Sequence, residues 1–281
     1  MMLDTKDVSA VVCTLNSIAS IRSCLSSLRS AGVGEVIVVD GGSTDGTLTV
    51  AHAHADLVLN DPGKGLSVAR NTGIRESRCA LILNMGSDNT ITRAELQKMI
   101  GWLESTDSQG VSSQTVVEGS SYVARGMNAW RAGRFRTGPA KVIGTPTLLR
   151  RILLEQEPFD EGRRFSDDSE LCERWLRVFG AHFEISDAHV GEIGKTSWLQ
   201  VVARCRIYGI SDYETYRSGK ESGWSVGRRI LSWMHPLKSD FILPLKRNSL
   251  STSFLVLPFL FAFTLLRYLS WIRATWRRGH L

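Results

Sequence analysis

Residues 36–46 read Val-Ile-Val-Val-Asp-Gly-Gly-Ser-Thr-Asp-Gly, and no other stretch restricts the fold so sharply. A β-branched run ends on a carboxylate and two glycines follow. Ser43, Thr44 and Asp45 then offer side-chain oxygens that can cap a helix. The run is too short and too β-branched for a helix, and glycine permits a tight turn. The pattern predicts a buried strand, a turn and a helix, with Asp40 at the carboxyl edge of a sheet. In open α/β sheets ligands bind at that edge.

The first hundred residues repeat this alternation. Strands are expected at 8–15, 35–39, 57–59 and 80–83, and helices at 18–31, 44–54, 67–76 and 93–103. Such an order predicts an α/β protein with a Rossmann-like, mainly parallel sheet flanked by helices. Residues 106–145 are rich in Ser and Gly, with short β-like runs at 111–117 and 121–124, and give no clear order. A loop at 158–165 precedes a helix at 166–179. Asp167, Asp168 and Glu170 stand in its first turn, where the helix dipole favours acids.

Charge divides the 281 residues unevenly. The chain carries a net +6, yet residues 217–281 hold eleven Lys/Arg against two Asp/Glu, so the first 216 residues carry −3. Residues 249–266 contain no charge, and as a helix they would extend about 27 Å, close to the hydrocarbon thickness of a bilayer. Arg267 interrupts the stretch and Pro258 would kink it. The segment at 224–235 mixes Trp and Arg, as interfacial helices do. A catalytic domain at 1–215 and a basic, aromatic-rich, membrane-associating helical tail at 216–281 are the expected division. A span would place Arg273, Arg277 and Arg278 outside, against the positive-inside tendency, so an in-plane or re-entrant helix competes with it. A helix packed on the catalytic domain or on a dimer partner is the plainer reading of the same apolar run. The five cysteines form no CxxC pair, and the N-terminus shows no signal-peptide pattern. The chain is therefore expected at the cytoplasmic face of a membrane, with reduced thiols.

Four pieces in order resemble the family 2 glycosyltransferases of GT-A fold: residues 9–16 (Ser-Ala-Val-Val-Cys-Thr-Leu-Asn), 35–47, 65–74 (Gly-Leu-Ser-Val-Ala-Arg-Asn-Thr-Gly-Ile), and 159–174 with its Asp-Asp-Ser-Glu-Leu-Cys-Glu-Arg core. The resemblance spans about residues 8–190. It implies an inverting transferase that moves a sugar from a UDP-sugar to a membrane-proximal glycan or lipid-linked acceptor, as in polysaccharide or cell-envelope glycan synthesis. It makes Thr14, Asn16, Asp40, Arg70 and Ser87 donor contacts, and Asp168 the base, with Asp167 as second candidate. Adjacent carboxylates raise one another's pKa, which suits a base. Plainer readings stand beside these: Asp40 as a turn cap, Arg70 as an exposed cation, the acids as helix caps.

The metal site departs from the family's Asp-X-Asp-Asp. Residues 85–89 read Met-Gly-Ser-Asp-Asn, so Gly86 replaces the first Asp and Asn89 the last. The resemblance leaves Asp88 to hold Mg²⁺ or Mn²⁺ with the diphosphate, and nominates His189 as a further metal or phosphate contact. A catalytically degenerate, nucleotide-binding scaffold is the alternative. A nucleotidyltransferase would need a Gly-rich basic loop after the first strand. A dehydrogenase would need GxGxxG, and a P-loop enzyme GxxxxGK[ST]; none is present. No nucleic-acid partner is expected, and a homo-oligomer stays open.

Overall fold

The computed structural model describes residues 3–61, 63–163 and 166–278, without the side chains of Arg277 and Arg278. The expected outward charge of those two arginines, and the end of the 158–165 loop, lie outside the described residues. The chain divides into two compact units, Met1–Val116 with Thr137–Ile193, and Val117–Arg136 with Gly194–Leu281.

In the first unit the chain alternates as β1 (Val8–Thr14), α1 (Ile21–Ala31), β2 (Glu35–Asp40), α2 (Thr47–His54), β3 (Leu57–Asn60), α3 (Leu66–Glu76) and β4 (Leu81–Gly86). Then follow β5 (Asn89–Thr90), α4 (Arg93–Ser105) and β6 (Gly110–Val117). After α5 (Tyr122–Arg134), which belongs to the second unit, come β7 (Gly138–Ala140), β8 (Thr147–Arg150), α6 (Arg151–Gln156), α7 (Asp167–Phe179) and β9 (Phe183–Glu192). One sheet results, in the order β3-β2-β1-β4-β8-β6-β9-β5, with β7 paired to β9. The first four strands are parallel. β8 turns antiparallel to β4 and to β6.

Alternation explains why the parallel half is apolar throughout. Successive side chains point to opposite faces. Val8, Ala10 and Val12 join Leu25, Leu28 and Leu96 in one core, while Val11, Ile37 and Ile82 join Ile74, Leu171 and Trp175 in another. Both faces are covered, as parallel sheets require. Gly73 seats α3 on the sheet: a Cβ there would lie 2.5 Å from Val11 Cγ1 and 3.1 Å from Val39 Cγ2. That approach fixes the height of Arg70, one turn earlier.

The run at 121–124 is not a strand. Ser121 Oγ accepts from the Ala124 N–H at 3.0 Å and caps α5, so tertiary packing and a cap outweigh the β-like composition.

The second unit is helical. It adds α8 (Trp198–Glu221), α9 (Val226–Trp233), a π-helical segment (Leu237–Ile242), α10 (Leu243–Arg247) and α11 (Leu250–Arg278) to α5. Residue 215 falls inside α8. Phe259, Leu260 and Phe263 of α11 are fully buried against Ala124, Met127, Trp130 and Cys205. Helix α11 runs through Pro258 and is long and apolar enough to cross a membrane, with 39% of its most apolar window buried. Arg267 does not merely break the apolar run. Its guanidinium pairs with Asp212 at 2.6 Å and with Asp240 at 2.6 Å. Asp240, wholly buried, also accepts from Trp130 Nε1 at 3.0 Å and Arg134 at 2.9 Å.

Candidate active site

The loops that leave β1, β2 and β4 meet at the carboxyl edge of the parallel strands. Asp40 ends β2 opposite Thr14 in the strand register. Its carboxylate accepts from the N–H groups of Gly42 and Ser43 at 2.9 and 2.8 Å and from Ser43 Oγ. Asp40 therefore shapes the turn, whatever else it contacts. Asn16, in left-handed backbone at φ 50°, donates its N–H to Ser43 Oγ and accepts the Thr44 N–H, at 2.8 and 2.9 Å. These bonds stitch the first two loops into one ledge. Thr14 Oγ1, by contrast, is buried beside it with no hydrogen-bond partner among the described residues. A buried hydroxyl left unpaired is costly and calls for an explanation, of which a ligand is one.

Ser17 carries the ledge across to β4, its hydroxyl 2.9 Å from Ser87 Oγ and its N–H donating to Thr47 Oγ1 at 2.8 Å. The sequence reading did not single out Ser17. Its position directly after Asn16 was the only signal.

The turn after β4 is crowded by side-chain ends where the first carboxylate is missing. A Cβ on Gly86 would lie 2.7 Å from Asn89 Oδ1 and 2.8 Å from Asp88 Oδ1, closer than side chains approach one another. Asn89 fills that space for a structural purpose. It accepts from the Gly86 N–H at 3.2 Å and donates to the Gly191 carbonyl at 3.2 Å, tying β4 to β9. Asp88 remains as the acid of the turn, with its carbonyl accepting from Ile193 N–H at 2.7 Å. Among the described residues no three His, Cys, Asp or Glu converge as a metal cluster. A single carboxylate still fits a hard cation that takes its other oxygens from a diphosphate and water.

His189 is not brought to this turn. β5 pairs Asn89 with Glu192 and Thr90 with Gly191, so the residues bordering Asp88 are Gly191 to Ile193. His189 is exposed and its N–H donates to Glu95 Oε2 on α4 at 2.6 Å. His189 lies four residues along the chain from Ile193, which faces Asp88, or about 13 Å at ~3.3 Å per residue, which is why proximity in sequence misled.

Arg70, Asp167 and Asp168 do converge. The Arg70 guanidinium, only 6% exposed, donates to Asp167 Oδ2 at 2.5 Å and Asp168 Oδ1 at 2.8 Å. It also donates to Thr145 Oγ1 and lies over the Phe159 ring at 4.9 Å. Asn71 clamps that loop, donating to the Phe159 carbonyl at 2.8 Å and accepting its N–H at 3.0 Å. Arg70 is therefore neither an exposed cation nor free to swing; it is tied to the acids. Asp168 keeps a quarter of its side-chain surface in solvent. Burial pushes its carboxyl above the ordinary range and Asp167 adds to the rise, against the pull of Arg70. Thr145 and Phe159 are partners that no periodicity flagged, although Phe159 opens the fourth motif.

Comparison with known proteins identifies the family and the fold. A Bacillus subtilis glycosyltransferase, EpsH, is 31% identical over 105 residues, covering 35% of this chain and 30% of that protein. The pre-mycofactocin glycosyltransferase of Mycobacterium tuberculosis is 30% identical over 221 residues, 73% of this chain and 46% of the relative. The chain thus spans less than half the length of these relatives. The fold matches the Pyrobaculum calidifontis mannosyltransferase PcManGT, solved with GDP-Man and Mn2+, at TM-score 0.65 and 16% identity, over 96% of this chain and 87% of that one. It also matches S. aureus TarS in complex with UDP at TM-score 0.52 and 16% identity, over 97% and 91%. Residues 9–155 match the model of Glycosyl transferase family 2, and the chain belongs to that family.

Proposed function

We propose that this chain transfers a sugar from a nucleotide-sugar, a UDP-sugar, to an acceptor hydroxyl with inversion at C1. The observation that carries the reading is the buried Arg70 holding two adjacent carboxylates, one of them, Asp168, reaching solvent with a raised pKa. A base works best when its pKa nears the working pH. Asp168 Oδ takes the proton from the acceptor oxygen as that oxygen bonds to C1 and the C1–phosphate bond breaks. The departing group is the nucleoside diphosphate, and no protein nucleophile is required. Asp167 and Arg70 orient the base.

The donor base and ribose sit on the ledge of Thr14, Asn16 and Asp40, with Ser87 toward the phosphates. Asp88 would hold the divalent cation, Mg²⁺ or Mn²⁺, and a bound cation offsets charge on the leaving diphosphate. The acceptor is membrane-proximal or lipid-linked, as in polysaccharide or cell-envelope glycan synthesis. Catalysis belongs to residues 1–215 and attachment to the cytoplasmic face of a membrane belongs to 216–281, whose outward charge is basic.

Asp168→Asn tests the assignment. Transfer should fall to background while nucleotide-sugar binding, read by thermal shift with Mn²⁺, stays within error of the parent. Near-normal turnover would remove Asp168 as the base. The packing at Gly86 favours one rival, a binding protein of the same fold that has lost turnover. Nucleotide binding without donor hydrolysis, with or without Mn²⁺ and across acceptors, would establish that rival.

A further inference from the structure

The helical unit contains a cavity of about 450 Å³ that plays no part in the chemistry above. Its walls are Tyr216 of α8, Trp233 of α9, Leu237, and Tyr268, Trp271 and Ile272 of α11, with Thr275 beside them. The rings brace one another. Trp233 packs on Tyr268 with centroids 5.6 Å apart, Tyr268 stacks on Trp271 at 6.4 Å, and Tyr216 meets Trp271 edge-on at 5.8 Å. Two of the lining hydroxyls are turned to the backbone. Tyr268 Oη donates to the Trp233 carbonyl at 2.8 Å and accepts from the Leu237 N–H, and Thr275 Oγ1 donates to the Trp271 carbonyl at 3.0 Å. The space therefore offers mainly ring faces and aliphatic carbon. Its size lies within the roughly 300–1,000 Å³ of small-molecule sites.

Three lining residues are exposed: Trp233 at 56%, Ile272 at 51%, and Thr275. Ile272 also continues an exposed apolar row along α11 through Leu250, Phe254, Phe261 and Trp276. That row is about 39 Å long at 1.5 Å per residue. Exposed apolar surface on this scale marks an interaction face. The opposite face of α11 is committed to the protein, since Arg267 is paired to Asp212 and Asp240. A lone transmembrane span would strip those pairs, whereas contact along the exposed row keeps them. Two exposed cations flank wall residues in sequence, Lys238 after Leu237 and Arg273 after Ile272, and a third, Arg228, stacks over Trp224 at 4.4 Å on the helix that carries Trp233. The acids of 217–281 are Glu221 and the wholly buried Asp240; on α8, Asp212 and Glu214 precede Tyr216, and Asp212 is paired to Arg267. An apolar slot beside outward cations matches an amphiphile with an anionic head.

We propose that this cavity receives one hydrocarbon chain of an anionic bilayer lipid, with the head group held by the neighbouring cations. The proposal rests on the membrane attachment proposed above and gives it a site. The full chain is mixed with vesicles of phosphatidylcholine, or of phosphatidylcholine and phosphatidylglycerol in equal parts. The phosphatidylglycerol carries a photoreactive diazirine in its chain, and cross-linked peptides are mapped by mass spectrometry. Cross-links should fall on the peptides containing Tyr216, Trp233 and residues 268–275. They should disappear in Thr275→Phe, which fills the slot, while co-sedimentation with vesicles persists. Ile272→Trp, at the exposed rim, gives the same result if Thr275→Phe fails to fold. Cross-links confined to residues 250–261, or equal yields in the filled variants, would overturn the proposal. So would a chain that ignores vesicles and buries this face in a dimer. Nucleoside-diphosphate binding by the same variants in solution separates the two readings. Its loss in the parent sinks the transferase while leaving the lipid site standing.

Discussion

Replacing Arg70 with methionine removes the cation from between two carboxylates and leaves most of the packing volume. The guanidinium lies 2.5 Å from Asp167 and 2.8 Å from Asp168, with side-chain exposures of 6%, 11% and 25% for the three residues. Removing one partner of a buried pair costs about 3–5 kcal/mol. The quarter-exposed Asp168 retains some hydration, so the lower end, about 3 kcal/mol, is expected. At ~2–4 °C per kcal/mol for a unit of this size, the melting temperature should fall by about 6–12 °C at neutral pH. The loss should depend on pH. Asp168 already has a raised pKa in the folded state, so its contribution is fully present below its unfolded value and is lost as pH rises through the folded one. Without Arg70 that folded pKa climbs further, and the penalty in the ionised range grows. Thermal melts followed by circular dichroism at pH 5 and pH 8 should show the larger deficit at pH 8. Arg70→Lys restores charge but not the fork, and should recover only part of it. Equal deficits at both pH values, or a loss below about 1 kcal/mol, would refute the view that Arg70 holds the acid pair together.

Two further substitutions probe other seats in the fold. Gly86→Asp restores the first carboxylate of the family's pattern, yet the new Cβ would press on the side-chain ends of Asn89 and Asp88 at 2.7 and 2.8 Å. We expect a loss of about 1–3 kcal/mol from overpacking and weaker Mn²⁺-dependent donor binding, read by melting and by titration; tighter binding at unchanged stability contradicts the explanation of Gly86. Gly126→Ala places a Cβ 2.3 Å from the Phe259 ring where α5 meets α11. A helix interior normally gains roughly 0.5–1 kcal/mol from this change, so a net loss in urea unfolding supports that seat and a gain refutes it.

The parallel half of the sheet was legible because Ser-Ala-Val-Val-Cys-Thr and Glu-Val-Ile-Val-Val-Asp are buried on both faces and need no partner to be recognised. The glycines after Asp40 placed it at a strand end, while Asp167 and Asp168 stood out through the resemblance to the family's acidic pair before a helix. Tertiary terms hid the remainder. β7 and β8 are three and four residues long, too short for a period to show. The start of α5 reads as β-like until Ser121 is seen to cap it. Arg70 looks like a surface cation because its partners lie 97 and 98 residues away. Arg267 looked like a break in an apolar run because Asp212 and Asp240 are invisible to a local window. His189 was set aside by strand register, which sequence spacing alone does not give.

The central claim is that the ledge of Thr14, Asn16 and Asp40, with Asp88 beside it, binds a nucleoside diphosphate through a divalent cation. Calorimetric titration of UDP into the full chain, with and without Mn²⁺, tests it most directly. Saturable binding that strengthens with Mn²⁺, and loses that strengthening in Asp88→Ala, is the expected result. Absence of binding by UDP and by GDP, with the metal present and the chain folded, would contradict the account.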